Sequence, residues 1–302
     1  KMEAQYFGGV VGKNEGTITN AENRGSVNAD GAKYVGGIVG HNSGALKGAG
    51  NSNNGLVQGD SYVGGVGGYN ASAIDGSVYE TDDNDQSILV SESTTVKNQG
   101  TVIADAGGAG GIWGYNAGDI TNMVMINDGK VYGTTGGTGG IIAENIGNIS
   151  KSTLTNTVGG VVVGTDTVGG LIGVNSGRII GGRDTEENGG NYYKYHISNN
   201  GHIKAHIWTL NIDGTITVDT DVLGDNVGGL VGSNSSGGTI TAAYNTGNVT
   251  GEENVGGIVG LNSANIDQVF SADGATISGI SNVGGLIGSN INSGGLKDYY
   301  NL

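Results

Sequence analysis

The chain of 302 residues has no cysteine, no proline, two tryptophans and two phenylalanines, and it carries thirteen Lys plus Arg against 28 Asp plus Glu. Without cysteine there is no disulfide framework, no thiolate metal site and no thiol nucleophile. A formal net charge of −15 argues against any partner held through phosphate charge, whether nucleic acid or an anionic membrane surface. Arginine occurs only at Arg24, Arg178 and Arg183, so the cationic clamps needed to act on an acidic polysaccharide are missing. No apolar run approaches the roughly 18 residues of a membrane span, so membrane insertion is not expected. The opening residues Lys1 to Phe7 show no basic stretch followed by an apolar core, and Met2 reads as an internal residue of a mature or excised piece.

What is abundant is glycine, 64 residues in all, about three times the usual share. Collagen would need proline and a three-residue period, and a disordered tract would be poor in Ile, Val and Leu, whereas this chain is 35% hydrophobic. The glycines instead mark a repeat. The motif apolar-Gly-Gly-aliphatic-x-Gly-x-Asn begins at Phe7, Val35, Val63, Ala109, Thr138, Val168, Val227, Val255 and Val283, with a base period of about 28 residues. Its last position is always asparagine: Asn14, Asn42, Asn70, Asn116, Asn145, Asn175, Asn234, Asn262 and Asn290. An aliphatic residue such as Ile18, Leu46 or Ile120 follows a few residues later, and in most units a Gly-x-Val stretch such as Gly100-Thr-Val102 closes the unit.

Three short β-branched segments separated by Gly, Asn, Asp and Ser per unit predict three strands and three corners. At roughly 3.3 Å per residue one unit goes once round a three-sided coil, and coils stacked about 4.8 Å apart pair strand on strand in parallel. The fold expected for residues 1–302 is therefore all-β, a right-handed parallel β-solenoid (β-helix) of nine to ten three-strand coils. The Gly-Gly pair supplies positive φ at a corner or room for close backbone approach. The asparagines, stacked in register, form a side-chain amide ladder. Proline would remove a ladder N–H from strands that are central nearly everywhere, which accounts for its absence.

One position leaves two readings open. The sixth offset, with Lys13, His41, Tyr69, Tyr115 and Glu144, reads as outward-facing, and by strict alternation the fourth should face outward too, yet it holds Val11, Val39, Gly67, Trp113, Ile142, Ile172, Val231, Val259 and Ile287. Either a glycine-induced bend buries both aliphatics, or an exposed apolar stripe meets another protein.

Two intervals between motifs are long, and both gain their extra residues after the second strand, at one corner about three coils apart. The first insertion, 77–94, is acidic: Asp82, Asp83 and Asp85 could ligate Ca²⁺ through oxygens, but the glycine and distal glutamate of an EF-hand loop are missing and a solvated acidic loop is the better reading. The second, 183–210, gathers Tyr192, Tyr193, Tyr195, His196, His202, His206 and Trp208. It reads as an aromatic recognition loop for a protein or glycan receptor, or alternatively as a degenerate coil. His202 and His206 stand four apart, a metal-ligand spacing with no Cys or fixed carboxylate beside it. No cofactor is otherwise expected.

Units such as Val227-Gly-Gly-Leu-Val-Gly-Ser-Asn234, with Gly238-Thr-Ile240 and Tyr244-Asn-Thr-Gly-Asn-Val249, make nearly the whole chain resemble the GLUG-type repeats of large bacterial surface adhesins, IgA-peptidase-like surface proteins and filamentous-haemagglutinin-like exoproteins. The resemblance implies a section of a longer secreted stalk at the bacterial cell surface, partnered by a receptor or by a neighbouring segment of the same protein. No His-Glu-x-x-His peptidase motif is present to carry over, and no RTX-type calcium nonapeptide or regular threonine rank of an ice-binding solenoid is found. The expected role is structural and adhesive rather than enzymatic. A polysaccharide-active β-helix lyase or hydrolase is the alternative, although no carboxylate pair is fixed by motif.

Overall fold

The structure is a computed structural model that describes residues 5–81, 87–91, 93–185, 191–211, 213, 215–272, 274–291 and 296–301, with backbone alone for 79–81, 87–91, 182–185, 191–195 and 298–301. The described residues are all-β and form nine stacked coils with parallel, in-register pairing, a β-solenoid. One coil shows the plan. Tyr34–Gly36 leads through the Gly-Gly pair into Val39–Asn42, then Ala45–Lys47, a corner, Asn51–Asn53, and finally Leu56–Gly59. The three apolar segments read from sequence are all present, and the coil subdivides them into five short strands. Pairing then repeats from coil to coil, as in Asn14↔Asn42, Asn42↔Asn70 and Asn70↔Asn116.

Corners are made in the left-handed region. One column of such residues, Tyr62, Thr167, Asn226, Asn254 and Asn282, precedes the Gly-Gly motif, and another, including Asn20, Asn122, Lys151, Ala242 and Gln268, follows the second strand. The Gly-Gly pairs themselves do not have positive φ; they serve close approach. A Cβ on Gly36 would lie 2.8 Å from the Cα of Gly67 in the next coil, and one on Gly37 would lie 2.8 Å from the Oδ1 of Asn53. No larger residue fits between backbones stacked in this way.

The two aliphatics after the Gly-Gly pair both face the core. The cause is a bend at the Gly-Gly pair, where the chain passes from one sheet to the next: the N–H groups of Ile38 and Val39 both donate to the carbonyl of Val66, those of Ile112 and Trp113 to Ile141, and those of Leu171 and Ile172 to Leu230. Two consecutive residues set against one carbonyl break the alternation, so both side chains point the same way. Val39, Trp113, Ile142, Ile172, Val231 and Val259 are buried, and the exposed-stripe reading is excluded.

The interior holds two kinds of apolar column. A large one runs the length of the stack and includes Ile38, Leu46, Ile112, Trp113, Ile141, Leu154 and Ile258. Narrower clusters, Val35, Val57, Val102 and Val131 in one stretch and Val162, Ile203, Val227 and Val249 in the next, line the other side.

Both long intervals are β-hairpin extrusions. Val78–Thr81 pairs antiparallel with Ser87–Ser91, and Gly182–Thr185 with Asn191–Tyr195, both leaving after the second strand. The 183–210 segment is thereby divided. Its first part is the hairpin, Ile197–Asn199 and residues 202–205 are ordinary coil paired to Leu154–Asn156 and Val161–Gly164, and the strand then runs on to Leu210 into a second hairpin closed by Ile216–Leu223. The interval contains one coil and two hairpins.

Candidate functional site

Two asparagine columns occupy the coil turns. In the first, Asn14 donates through Nδ2 to Oδ1 of Asn42 at 2.7 Å, and the chain of bonds continues through Asn70, Asn116, Asn145, Asn175, Asn234 and Asn262 to Asn290. The second amide hydrogen is used locally: Asn145, for example, donates to the carbonyl of Gly147, two residues on. Most of these side chains thus close a turn within their own coil and bind the next one, which satisfies a buried amide.

A second ladder was not read from the sequence. Asn23, Asn53, Asn98, Asn127, Asn156, Asn199 and Asn245 are linked in the same way, with Nδ2 to Oδ1 distances of 2.7–2.9 Å. Its signal is an asparagine two residues before the glycine of the Gly-x-Val stretch, as in Asn98-Gln-Gly100 and Asn245-Thr-Gly247. These amides point toward the second glycine of each Gly-Gly pair, which has no side chain to obstruct them. In the eighth coil Ser271 pairs with Asn245 and stands in the asparagine position.

The surface feature with chemical character lies elsewhere, where the residue before the Gly-Gly motif meets the outward-facing sixth offset. Tyr6, Tyr34 and Tyr62 form one column, with successive ring centroids 5.5 Å apart and stacked. His41, Tyr69 and Tyr115 form a second, at 5.1 and 5.4 Å, with edge-to-face contacts. The columns interlock across consecutive coils: Tyr6 meets His41 at 4.6 Å, Tyr34 meets Tyr69 at 5.2 Å and Tyr62 meets Tyr115 at 5.1 Å. All six rings are half-buried, so each is packed on one side and open on another. Such contacts are the favoured geometries of aromatic pairs.

Charged groups border the grid. Lys33 lies 5.0 and 5.4 Å from the ring centroids of Tyr34 and Tyr62, a cation–π arrangement. Lys13 is paired with Glu15 at 2.5 Å, each shifting the other toward its charged form. Tyr62 donates its hydroxyl to Glu144 at 3.1 Å. Burial, reinforced by the Glu144 carboxylate, pushes the Tyr62 phenol up to about 12, and the same two causes raise that of Tyr115. Burial, and then the Lys13 charge, hold the His41 imidazole below its ordinary value. Its Nδ1 is shielded and has no partner among the described residues.

The residues expected to form a recognition loop are not brought together. Trp208 is only 8% exposed: its indole donates to the carbonyl of Gly133 at 2.6 Å and packs on Tyr132 at 5.7 Å. With Ile103 and Val163 it forms a small apolar cluster on the outer side of the last face, covered by the second hairpin. His206, 5% exposed, contacts the Val222 carbonyl through Nδ1 at 3.2 Å. Both are corrected from exposed recognition residues to anchors of a hairpin. His202 and His196 are exposed, but His196 adjoins the strand paired to Leu154 and His202 the one paired to Val161, on different sides of the coil. The backbones of Tyr192, Tyr193 and Tyr195 lie in the first hairpin. Asp82, Asp83 and Asp85 lie outside the described residues. Among the described residues no group of three His, Asp or Glu is placed to hold a metal ion, and no helix is long and apolar enough to cross a membrane.

Comparison of the chain with protein-family models, with curated proteins and with solved structures finds no match.

Proposed function

We propose that this chain is a structural and adhesive segment of a secreted bacterial cell-surface protein, a stiff repeat stalk of the GLUG kind that presents surface features for binding to a host, a glycan or another cell. The observation that carries this reading is the continuity of both asparagine ladders along the coil stack. Through the first seven coils each coil is tied to the next by backbone ladders and two side-chain amides, which suits a rod that must resist force and proteolysis. Hairpins and aromatic side chains project from this frame without interrupting it, the usual division between scaffold and recognition.

Beads coated with the 302-residue chain provide the test. Adhesion to cells or immobilised glycans that exceeds adhesion of uncoated beads supports the reading, together with rod-like small-angle scattering. Turnover of a polysaccharide that is abolished by one carboxylate substitution would replace it with the enzymatic alternative.

A further inference from the structure

We infer that the aromatic grid is a binding site for an extended, neutral, β-linked polysaccharide, whose chain runs along the solenoid axis with one sugar set against each row. The inference rests on the adhesive reading and assigns it a site and a ligand class. The rows Tyr6/His41, Tyr34/Tyr69 and Tyr62/Tyr115 repeat at the coil spacing, with ring centroids in each column 5.1–5.5 Å apart. An extended β-linked hexose chain advances per residue by nearly the same distance as parallel strands are spaced, about 4.8 Å, so successive sugars meet equivalent surroundings in successive coils.

The chemistry of the rows matches a sugar on two counts. Half-buried ring carbons offer contact to the apolar C–H groups of pyranoses, while the phenol groups offer hydrogen bonds to their hydroxyls. Among the described residues, Tyr62 alone of the five tyrosines donates its hydroxyl to the protein, to Glu144, which leaves the other four phenols for a ligand. The rings are already held by one another, so little side-chain freedom remains to be lost on binding.

Charge selects a neutral chain over an acidic one. Lys13 is neutralised by Glu15 and Lys33 is engaged over two tyrosine rings, while the protein as a whole carries −15. A polyanion would be repelled by that overall charge, with Lys33 the one lysine beside the grid not paired to a carboxylate among the described residues. Length is also set by the structure: the aromatic rows end where Gly108 and Glu144 take the two column positions of the next row.

The test is calorimetric titration of the full chain with cello-oligosaccharides and chito-oligosaccharides, from the disaccharide to the hexasaccharide. Affinity should rise with each sugar until the rows are filled, near the tri- or tetrasaccharide, and then level off. Tyr34→Ala and Tyr69→Ala should each weaken binding by about tenfold or more, and Tyr69→Phe, which keeps the ring and the packing, by a few-fold. If an alanine variant fails to fold, the phenylalanine variant and the chain-length series still decide. No binding by the wild-type chain, or equal binding by folded variants, overturns the site. Concentration-dependent self-association that is lost in the same variants also overturns it, assigning the grid to a second copy of this chain. Bead adhesion that persists in the Tyr69→Ala chain would remove the grid while leaving the adhesive reading in place.

Discussion

Gly67 and Trp113 are paired in register on consecutive coils, and the indole of Trp113 occupies the space where a Cβ on residue 67 would lie. Every other coil places an aliphatic residue at this position. The fully buried tryptophan is accommodated because the neighbouring coil contributes nothing there. Gly67→Val should overpack the core and cost about 1–3 kcal/mol. Trp113→Ile should leave a cavity beside the glycine and cost about 3 kcal/mol. The double substitution, which gives both coils the residues of their neighbours, should be more stable than either single variant. Denaturant unfolding of the four proteins measures that coupling.

Asn145 sits in mid-ladder, accepting from Asn116 and donating to Asn175 and to the Gly147 carbonyl. Asn145→Ala leaves buried polar atoms unpaired in two adjacent coils and should lower stability by about 2–3 kcal/mol. Asn14→Ala, at the first described asparagine of the column, should cost less than half as much. Equal losses in chemical denaturation would show that the ladder acts as isolated turns rather than as a connected column.

Burial, reinforced by the facing Glu144 carboxylate, pushes the Tyr62 phenol up to about 12. Its folded-state value is raised, so its contribution to stability is fully present below pH 10 and is lost as pH rises toward 12. Tyr62→Phe should flatten the decline in unfolding midpoint across that window. A decline of unchanged slope would mean that other groups cause it.

Trp208 holds the second hairpin against the last face through Gly133, Tyr132 and Val163. Trp208→Ala should free this hairpin without dissolving the coils behind it. Limited proteolysis should then cut between Leu210 and Ile216 at least tenfold faster, while the coil stack survives as a resistant core.

Thr167 is a β-branched residue with φ of +55°, at the corner where later coils carry Asn226, Asn254 and Asn282. Left-handed backbone is disfavoured most for such residues. Thr167→Asn should therefore raise stability by about 1 kcal/mol, read as a higher thermal midpoint.

The solenoid and its first ladder were legible because Asn14 and its equivalents keep a fixed distance from the Gly-Gly pair. The second ladder was concealed by coils of unequal length. Asn23 follows Phe7 by 16 residues and Asn53 follows Val35 by 18, and the constancy appears only when counting back from Gly25 and Gly55. The aromatic grid was harder still. Tyr34 and Tyr69 are 35 residues apart, more than one period, because each row joins a residue of one coil to a residue of the next. Trp208 misled for a different reason: composition shows that an insertion is aromatic, but not that Ile103, Tyr132 and Val163 form an outward apolar row that it covers.

In both asparagine columns the N-terminal partner donates and the C-terminal partner accepts, in eight bonds of one column and six of the other. The side-chain amide dipoles are therefore aligned, with their positive NH₂ ends toward the C-terminal coil. This is opposite in sense to the dipole of an α-helix, whose positive end is N-terminal. The rod acquires an electrical direction from uncharged residues alone. Two such rods lying side by side would gain electrostatically by running in opposite directions, and one stacked end to end would gain by continuing in the same direction.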